Sequence, residues 1–301
     1  MVKPYLKTKS RQFDSASGHS MKKIIYRLKR IFVSDITHEL KYLNSKINGM
    51  YDMLHFLNIN NLRENHKNTF VKYGKKIFSQ NDEDGLTLEI LNRIKITNKT
   101  FLEIGAGDGT ENNTLILLAN QWKGTWVDLN EQILQYKSKS LSVSNLKIKK
   151  SNILGFCKEE LNKLDAESYS LISLDIDGID YYVAEKMLEN KISPEIFIVE
   201  YNPKFPPPLK FCVEYDENFQ WDYTDYFGAS LATYNELFEK YSYKLLCCNV
   251  SSGTNAFFIK DKYTNLFPEI LDDISDIYVQ EGVRFKSVGG ETSIKTIKNI
   301  T

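Results

Sequence analysis

Phe-Leu-Glu-Ile-Gly-Ala-Gly-Asp-Gly, residues 101–109, is the stretch that decides the fold. It begins with apolar residues and continues into three alternating glycines, Gly105, Gly107 and Gly109. We predict a buried strand, a turn free of side chains and then a helix N-terminus, because glycine lets the backbone approach a ligand closely. The dinucleotide fingerprint G-x-G-x-x-G would need glycine at position 110, where this chain has Thr110. The sequence therefore predicts a nucleotide-sized cradle of another kind, although a turn of this composition can also serve packing alone.

An acidic residue follows the cradle at an informative distance. Residues 124–128, Gly-Thr-Trp-Val-Asp, predict the next strand, and Asp128 lies 23 residues after Gly105 (128 − 105). In doubly wound sheets an acid at this place accepts hydrogen bonds from the ribose hydroxyls of a bound nucleoside. Asp128 is therefore predicted to bind a ribose.

Residues 101–109 resemble motif I of the class I S-adenosylmethionine (SAM)-dependent methyltransferases, whose pattern is apolar-apolar-acid-apolar-Gly-x-Gly-x-Gly. The resemblance implies a Rossmann-like α/β fold with sheet order 3-2-1-4-5-7-6 over about residues 78–262, and SAM as the cofactor. For Asn152, which this fold usually places at the adenine edge, capping of the next turn is the alternative. The implied cofactor-binding residues are Gln80, Asp84, Glu103, Gly105, Ala106, Gly107, Gly109, Asp128, Leu129, Asn152 and Asp175.

Carboxylates cluster where a later apolar segment ends, at Asp175, Asp177 and Asp180. Carboxylates at the carboxyl end of a strand are costly unless a ligand needs their charge, and this edge of an open α/β sheet is where ligands bind. We assign Asp175 and Asp177 to the site and Asp180 mainly to turn and capping chemistry, because Asp-Gly is a turn dipeptide and Asp180 can cap the helix that follows.

The source of a catalytic base is restricted by the positions of the histidines, all of which precede the predicted core: His19, His38, His55 and His66. Carboxylates, Lys204 or a metal ion remain. The candidate catalytic residues are Asp175, Asp177, Glu200, Asn202 and Lys204. One alternative is a metal-free carboxylate base. The other is Mg²⁺ held by Asp177 (or Asp175), Glu200 and Asn202, since magnesium prefers oxygen ligands and acidifies a bound hydroxyl.

An aromatic stretch follows the strand that ends near Glu200, over residues 203–227. Such an insertion at the ligand edge predicts a substrate lid, because aromatic rings stack on sugars and planar groups; a packed loop that closes the sheet edge is the alternative. The candidate substrate-binding residues are Tyr181, Tyr201, Trp221 and Tyr226.

Five segments together look like the FkbM-type bacterial methyltransferases: residues 79–85, 103–109, 174–178, 200–202 and 226–230. This resemblance implies O-methylation of a carbohydrate hydroxyl, such as the terminal sugar of a cell-surface polysaccharide or O-antigen. Asp177 departs from the pattern, because FkbM-type chains usually carry Glu there. The alternatives are a methyltransferase of a small metabolite or a protein, and a non-catalytic assembly subunit that keeps the fold.

The chain is predicted to divide into four parts. Residues 1–20 form a disordered leader or tag, 21–69 a basic amphipathic helix and a coiled coil, 70–265 the methyltransferase domain, and 266–301 a C-terminal helix and tail. A heptad seam defines the coiled coil: Ile36, Leu40, Leu43, Ile47, Met50, Leu54 and Leu57. We expect a two-stranded coiled coil between chains that ends at residues 58–61; the alternative is a helix lying on its own catalytic domain.

Composition narrows the partners. Lys+Arg and Asp+Glu are 39 each, so no chain-wide positive charge favours nucleic acid. The four cysteines form no C-x-x-C pair, which suits a reducing cytoplasm without zinc. The basic residues within 22–30 suit either an anionic membrane surface or a solvated helix face. The expected partners are a glycan acceptor, a second copy of the chain and a membrane-associated glycan assembly complex, at the periphery of the inner membrane.

Secondary structure is predicted from hydrophobic periodicity and turn residues. Strands are expected over 145–149 and 196–202, with an antiparallel hairpin at 243–259. Helices are expected over 82–95, 112–121, 130–140, 229–241 and 268–280.

Overall fold

The computed structural model describes residues 15–280 and residue 295. Contacts divide the chain into two units, Met1–Asn58 and Ile59–Thr301. The first fourteen residues of the predicted leader, and the predicted tail apart from residue 295, lie outside the described residues. No helix within 15–280 is both long enough and apolar enough to cross a membrane.

A seven-stranded sheet forms the centre of the second unit. The strands lie in the order β3-β2-β1-β4-β5-β7-β6, which confirms the predicted Rossmann-like α/β class and its strand order. Neighbours among the first five strands are parallel, and β7 runs antiparallel to both β5 and β6. The strands are β1 Thr100–Ile104, β2 Lys123–Asp128, β3 Leu141–Asn145, β4 Leu171–Leu174, β5 Ile196–Glu200, β6 Tyr243–Cys248 and β7 Asn255–Lys260.

Seven helices are described within residues 15–280, and those of the second unit pack beside the strands to bury them. β1, β4 and the first four residues of β5 are buried throughout, as expected of central parallel strands covered on both faces. The helices are α1 Ser15–Asn65, α2 Glu83–Ile94, α3 Leu115–Ala119, α4 Ile153–Leu164, α5 Asp180–Glu189, α6 Leu231–Glu239 and α7 Ile274–Ile277, with 3-10 turns at Thr69–Tyr73, Glu131–Tyr136 and Asp261–Leu266.

Several predicted boundaries were wrong. The strand expected at 145–149 is β3, Leu141–Asn145, because Leu141 and Val143 face the core and pair with β2. The helix expected at 130–140 is the 3-10 turn Glu131–Tyr136, and the one expected at 268–280 is the single turn α7. Alternation at Leu146 and Ile148 resembles a strand, but those residues lie in the loop after β3.

Helix α1 begins within the predicted leader, at Ser15, and continues through the predicted stop at 58–61 to Asn65. Asparagine disfavours helix by only about half a kcal/mol relative to alanine. Ile59 is buried in the core of the second unit, and Leu62 packs against that core. Burial of these side chains offsets the weak helix propensity of the asparagines.

A buried polar cluster joins the start of α2 to the β6–β7 turn. The Oε1 of Glu83 accepts hydrogen bonds from Asn249 Nδ2 at 2.9 Å and Asn255 Nδ2 at 3.0 Å, and its Oε2 accepts one from Asn81 N. Burial, with a smaller contribution from the charge of Asp82, raises the pKa of Glu83 to about 7 from its ordinary 4.5.

The raised pKa of Glu83 gives stability a specific pH dependence. The folded state holds the proton between pH 4.5 and about 7, where the unfolded chain releases it, so stability falls as pH rises through that window. The contribution lost is about 3 kcal/mol. We expect Glu83→Gln to flatten the slope of unfolding free energy against pH between 4.5 and 7, measured by urea denaturation. The exposed Glu131→Gln is the control, and an unchanged slope in Glu83→Gln would refute the assignment.

Candidate active site

A cavity of about 530 Å³ opens at the carboxyl ends of β1, β2 and β4. It brings together seven of the predicted site residues, from the glycine turn, the end of β2, the loop after β4 and the aromatic insertion. They are Gly105, Gly107, Asp128, Leu129, Asp175, Asp177 and Trp221.

The glycines of the turn differ in what surrounds them. Gly105 has a φ of +91°, and a Cβ there would lie 1.5 Å from the carbonyl oxygen of Asp175. A Cβ on Gly109, at φ +85°, would lie 2.6 Å from the Tyr136 ring. Gly107, at φ +59°, has nothing within 4 Å of a Cβ and borders the cavity. Gly105 and Gly109 are thus required by packing, whereas Gly107 leaves the backbone open to a ligand.

The carboxylate of Asp128 lies beside Gly107. Its Oδ2 accepts a hydrogen bond from Gly107 N at 2.8 Å, and its Oδ1 accepts one from Asn130 N at 2.7 Å. A carboxylate offers about four lone-pair positions, so each oxygen of Asp128 can accept one more hydrogen bond. Leu129, next along the chain, is largely exposed at the cavity.

Three carboxyl groups meet at the ends of β4 and β5. One oxygen of each of Asp175, Asp177 and Glu200 lies within 4.8 Å of the others. Burial, and then the negative charge of neighbouring carboxylates, raises the pKa of both Asp175 and Glu200 well above the ordinary range. This half-buried pair is therefore suited to sharing a proton or binding a cation.

Asp177 is the exposed member of this group. The surrounding protein, and then the charge of Asp128, raises its pKa above the ordinary value. Its backbone has a φ of +53°, a left-handed conformation that costs a non-glycine residue roughly 1–2 kcal/mol. Asp180 holds this loop, because its Oδ1 and Oδ2 accept hydrogen bonds from Ile176 N and Gly178 N at 2.7 and 2.8 Å. Burial raises the pKa of Asp180 to about 6.

Two predicted cofactor-binding carboxylates hold loops around the cavity and do not line it. Glu103 accepts hydrogen bonds from Asn113 N at 2.9 Å and Thr114 N at 3.2 Å, which fixes the chain between the glycine turn and α3. The helix expected at 112–121 is α3, Leu115–Ala119, which begins after these contacts. Asp84 Oδ2 accepts hydrogen bonds from three successive backbone N–H groups, those of residues 77, 78 and 79. Gln80 and Ala106 also lie outside the cavity lining.

Three polar residues predicted to contact a ligand instead bind other groups of the protein. Asn152 accepts a hydrogen bond from Lys149 N and donates one to Lys147 O, so its side chain closes the turn before α4 and does not cap that helix, the alternative role predicted for it. Asn202 donates to the carbonyl oxygens of Asp225 and Phe227, and its own oxygen accepts from Lys204 N. The Nζ of Lys204 lies 3.8 Å from Asp225 Oδ2. None of the three lines the cavity.

The tyrosines expected to contact substrate are also engaged elsewhere. Tyr201 is buried and donates a hydrogen bond to Val279 O at 3.0 Å. The hydroxyl of Tyr226 accepts one from Glu214 N at 3.1 Å. The Tyr181 ring packs between those of Tyr182 and Tyr234, with centroids 5.4 and 5.9 Å away. Of the four predicted substrate contacts, the structure brings only Trp221 to the cavity.

The aromatic insertion, predicted as a lid, supplies three lining residues that were not among the predicted substrate contacts: Phe219, Gln220 and Tyr223. The Phe219 ring lies so close to Gly178 that a Cβ there would be 2.5 Å from it. Lys147 Nζ donates a hydrogen bond to Phe219 O at 3.1 Å, and Lys149 Nζ lies 3.6 Å from Glu217 Oε2. We call residues 214–227 the lid, because these contacts hold the segment over the cavity.

No protein-family model matches this chain. No curated protein sequence matches it either. Among solved structures, the chain is similar to MycE methyltransferase from the mycinamycin biosynthetic pathway, in complex with Mg, SAH and mycinamycin VI, at 12% identity and a TM-score of 0.37. That match covers 57% of this chain and 47% of MycE, so the chain spans about half of MycE's length.

Two further structures extend this comparison. The methyltransferase domain of bacterial CtHen1-C is 15% identical over 59% of this chain and 97% of its own, with a TM-score of 0.33. An O-methyltransferase family protein from Burkholderia thailandensis is 9% identical over 60% of this chain and 57% of its own, with a TM-score of 0.35.

Proposed function

We propose that this chain is a SAM-dependent O-methyltransferase that acts on a carbohydrate hydroxyl, such as the terminal sugar of a bacterial cell-surface polysaccharide. The observation that carries this proposal is one cavity bordered by a glycine whose backbone is open, a carboxylate that can accept further hydrogen bonds and an exposed carboxylate: Gly107, Asp128 and Asp177. The residues proposed to bind the cofactor and the residue proposed to take the acceptor's proton therefore line the same cavity.

The residues at one side of the cavity fit SAM. The open backbone at Gly107 admits the cofactor's polar end, and the free lone pairs of Asp128 match two ribose hydroxyls. Leu129, Leu146 and Ile148 offer apolar surface to the adenine ring of the cofactor. Bound there, SAM supplies an electrophilic methyl carbon, whose transfer to oxygen requires alignment and removal of the hydroxyl proton.

Asp177 is suited to taking that proton. It lines the cavity, it is exposed, and its raised pKa makes it a better base than an ordinary aspartate. Asp175 and Glu200 lie behind it as a pair whose raised pKa values favour one retained proton. Because the pair retains this proton, Asp175 and Glu200 together carry one negative charge beside Asp177 in place of two.

Magnesium is the alternative at the same carboxylates. Asp175, Asp177 and Glu200 form an oxygen-only ligand set, which suits Mg²⁺. Asp175 takes the place that the sequence assigned to Asn202, whose amide is bound to backbone groups. A cation there would replace the proton shared by the pair and would lower the pKa of an acceptor hydroxyl.

The lid supports a carbohydrate as the acceptor. Trp221 and Tyr223 line the cavity with ring centroids 5.0 Å apart, and Tyr223 is 80% exposed. Flat aromatic faces at a cavity mouth pack against the apolar C–H faces of sugars. Four free cysteines suit a reducing cytoplasm, and the basic residues within 22–30 suit work beside an anionic inner-membrane surface and a glycan assembly complex.

Isothermal titration with SAM and its demethylated product, with and without Mg²⁺, tests the proposal. We expect micromolar affinity in the wild type and a loss of at least about 100-fold in Asp128→Ala, since each hydrogen bond to a charged group contributes about 1.5–3 kcal/mol. Asp108→Ala is the matched control, because Asp108 lies in the same turn but outside the cavity lining. Absence of binding under every condition would exclude the enzymatic function and favour the assembly subunit.

A further inference from the structure

Helix α1 presents a continuous apolar seam to solvent between residues 33 and 57. Eight side chains, spaced alternately by three and four residues, are each between 52% and 66% exposed. Val33 extends the predicted heptad pattern by one position toward the N-terminus. The seam residues are Val33, Ile36, Leu40, Leu43, Ile47, Met50, Leu54 and Leu57.

The seam is narrow for most of its length. The positions that flank it hold polar residues: Thr37, Asn44 and Asn58 on one side, Glu39 and Lys46 on the other. A strict two-in-seven apolar pattern is typical of a two-stranded coiled coil, whereas helices of larger bundles carry additional apolar residues at the flanks. Near the C-terminal end, Tyr51, Met53 and Phe56 widen the apolar surface.

The exposed surface is large enough for stable pairing. Eight half-exposed apolar side chains offer on the order of 800 Å² per helix, which is the area that one partner buries in a standard protein interface. Residues 33–57 contain three acids, Asp35, Glu39 and Asp52, against two lysines, Lys41 and Lys46. Two copies of this segment therefore carry little net charge to repel one another.

We propose that residues 33–57 pair with the same segment of a second copy of the chain as a two-stranded coiled coil. The seam complements itself, since its knobs and the holes between them repeat with the same heptad. This inference is independent of the proposed methyl transfer, because no residue of the candidate active site lies in the segment.

Sedimentation equilibrium of the full chain tests the pairing. We expect the wild type at micromolar concentration to have twice the chain mass of 34.9 kDa. Leu43→Glu places a charge in the seam of both helices and is expected to weaken the dimer at least about 100-fold, so the protein sediments as a monomer. Tyr42→Glu is the matched control: Tyr42 is 55% exposed, adjacent in sequence and on the outer face, and its variant should remain a dimer.

Three outcomes would overturn the proposal: a monomeric wild type, a trimer or larger assembly, or equal dissociation of the two variants. A monomeric wild type would mean that the seam awaits a different protein. Urea denaturation of Leu43→Glu, compared with that of the wild type, shows whether the second unit remains folded. Failure of the dimeric wild type and Tyr42→Glu to bind the demethylated cofactor would contradict the proposed function and leave the coiled coil unaffected.

Discussion

Gly105→Ala is expected to lower the free energy of unfolding by roughly 3 kcal/mol or more and to abolish cofactor binding. The added Cβ would lie 1.5 Å from the carbonyl oxygen of Asp175, at a φ of +91° that alanine rarely adopts. Asp175 N donates a hydrogen bond to Ile104 O at 2.9 Å, so the loop after β4 cannot withdraw without breaking the ladder between β1 and β4. Urea denaturation measures the loss.

Gly107→Ala is the matched comparison within the same turn. Its Cβ meets nothing within 4 Å, so the variant should fold with a penalty of about 1–2 kcal/mol for its φ of +59°. The methyl group would enter the space predicted for the cofactor, and affinity for the demethylated cofactor should fall at least about tenfold. Stability of Gly105→Ala equal to that of the wild type would show that the two strands do not approach this closely in solution.

The glycine turn and the buried strands could be predicted from the sequence because their signals are local, whereas the sheet order was implied by the resemblance of residues 101–109 to motif I of the class I methyltransferases. Residues 101–109 indicate both the end of a strand and the turn at which side chains must be absent. The apolar runs at β4 and β5 indicate buried strands. Asp128 and the Asp175–Asp177 pair follow from the same rule, since parallel strands end at one edge of the sheet.

The interior hydrogen bonds could not be predicted in this way. Asn202 lies directly after a strand, where a metal ligand is expected, yet it binds backbone carbonyls of residues 225 and 227, more than twenty positions along the chain. Tyr201 likewise meets Val279. Sequence spacing carries no information on such partners. The lid was predicted over residues 203–227, but which of its side chains line the cavity was not, because the segment is aperiodic and the position of Phe219 depends on contacts with Lys147 and Gly178.

Asp177→Asn is expected to reduce kcat by about 10²–10⁴-fold, the usual contribution of a general base, on a sugar that the wild type methylates. The amide keeps the size of the side chain but cannot accept the hydroxyl proton. Affinity for the demethylated cofactor should change little, because Asp128 and the glycine turn remain. The rate is measured as production of the demethylated cofactor from SAM across a panel of methyl glycosides. Asp108→Asn serves as the control.

The pH and magnesium dependence of turnover then distinguishes the two roles open to Asp177. For a metal-free base, wild-type kcat should fall with unit slope as pH drops below the raised pKa of Asp177, and chelation of divalent ions should have no effect. For a metal ligand, chelation should stop the wild type, and excess Mg²⁺ should restore part of the activity of Asp177→Asn, because Asp175 and Glu200 remain as ligands. Full activity of Asp177→Asn in the presence of a chelator would contradict both roles and move the base elsewhere in the cavity.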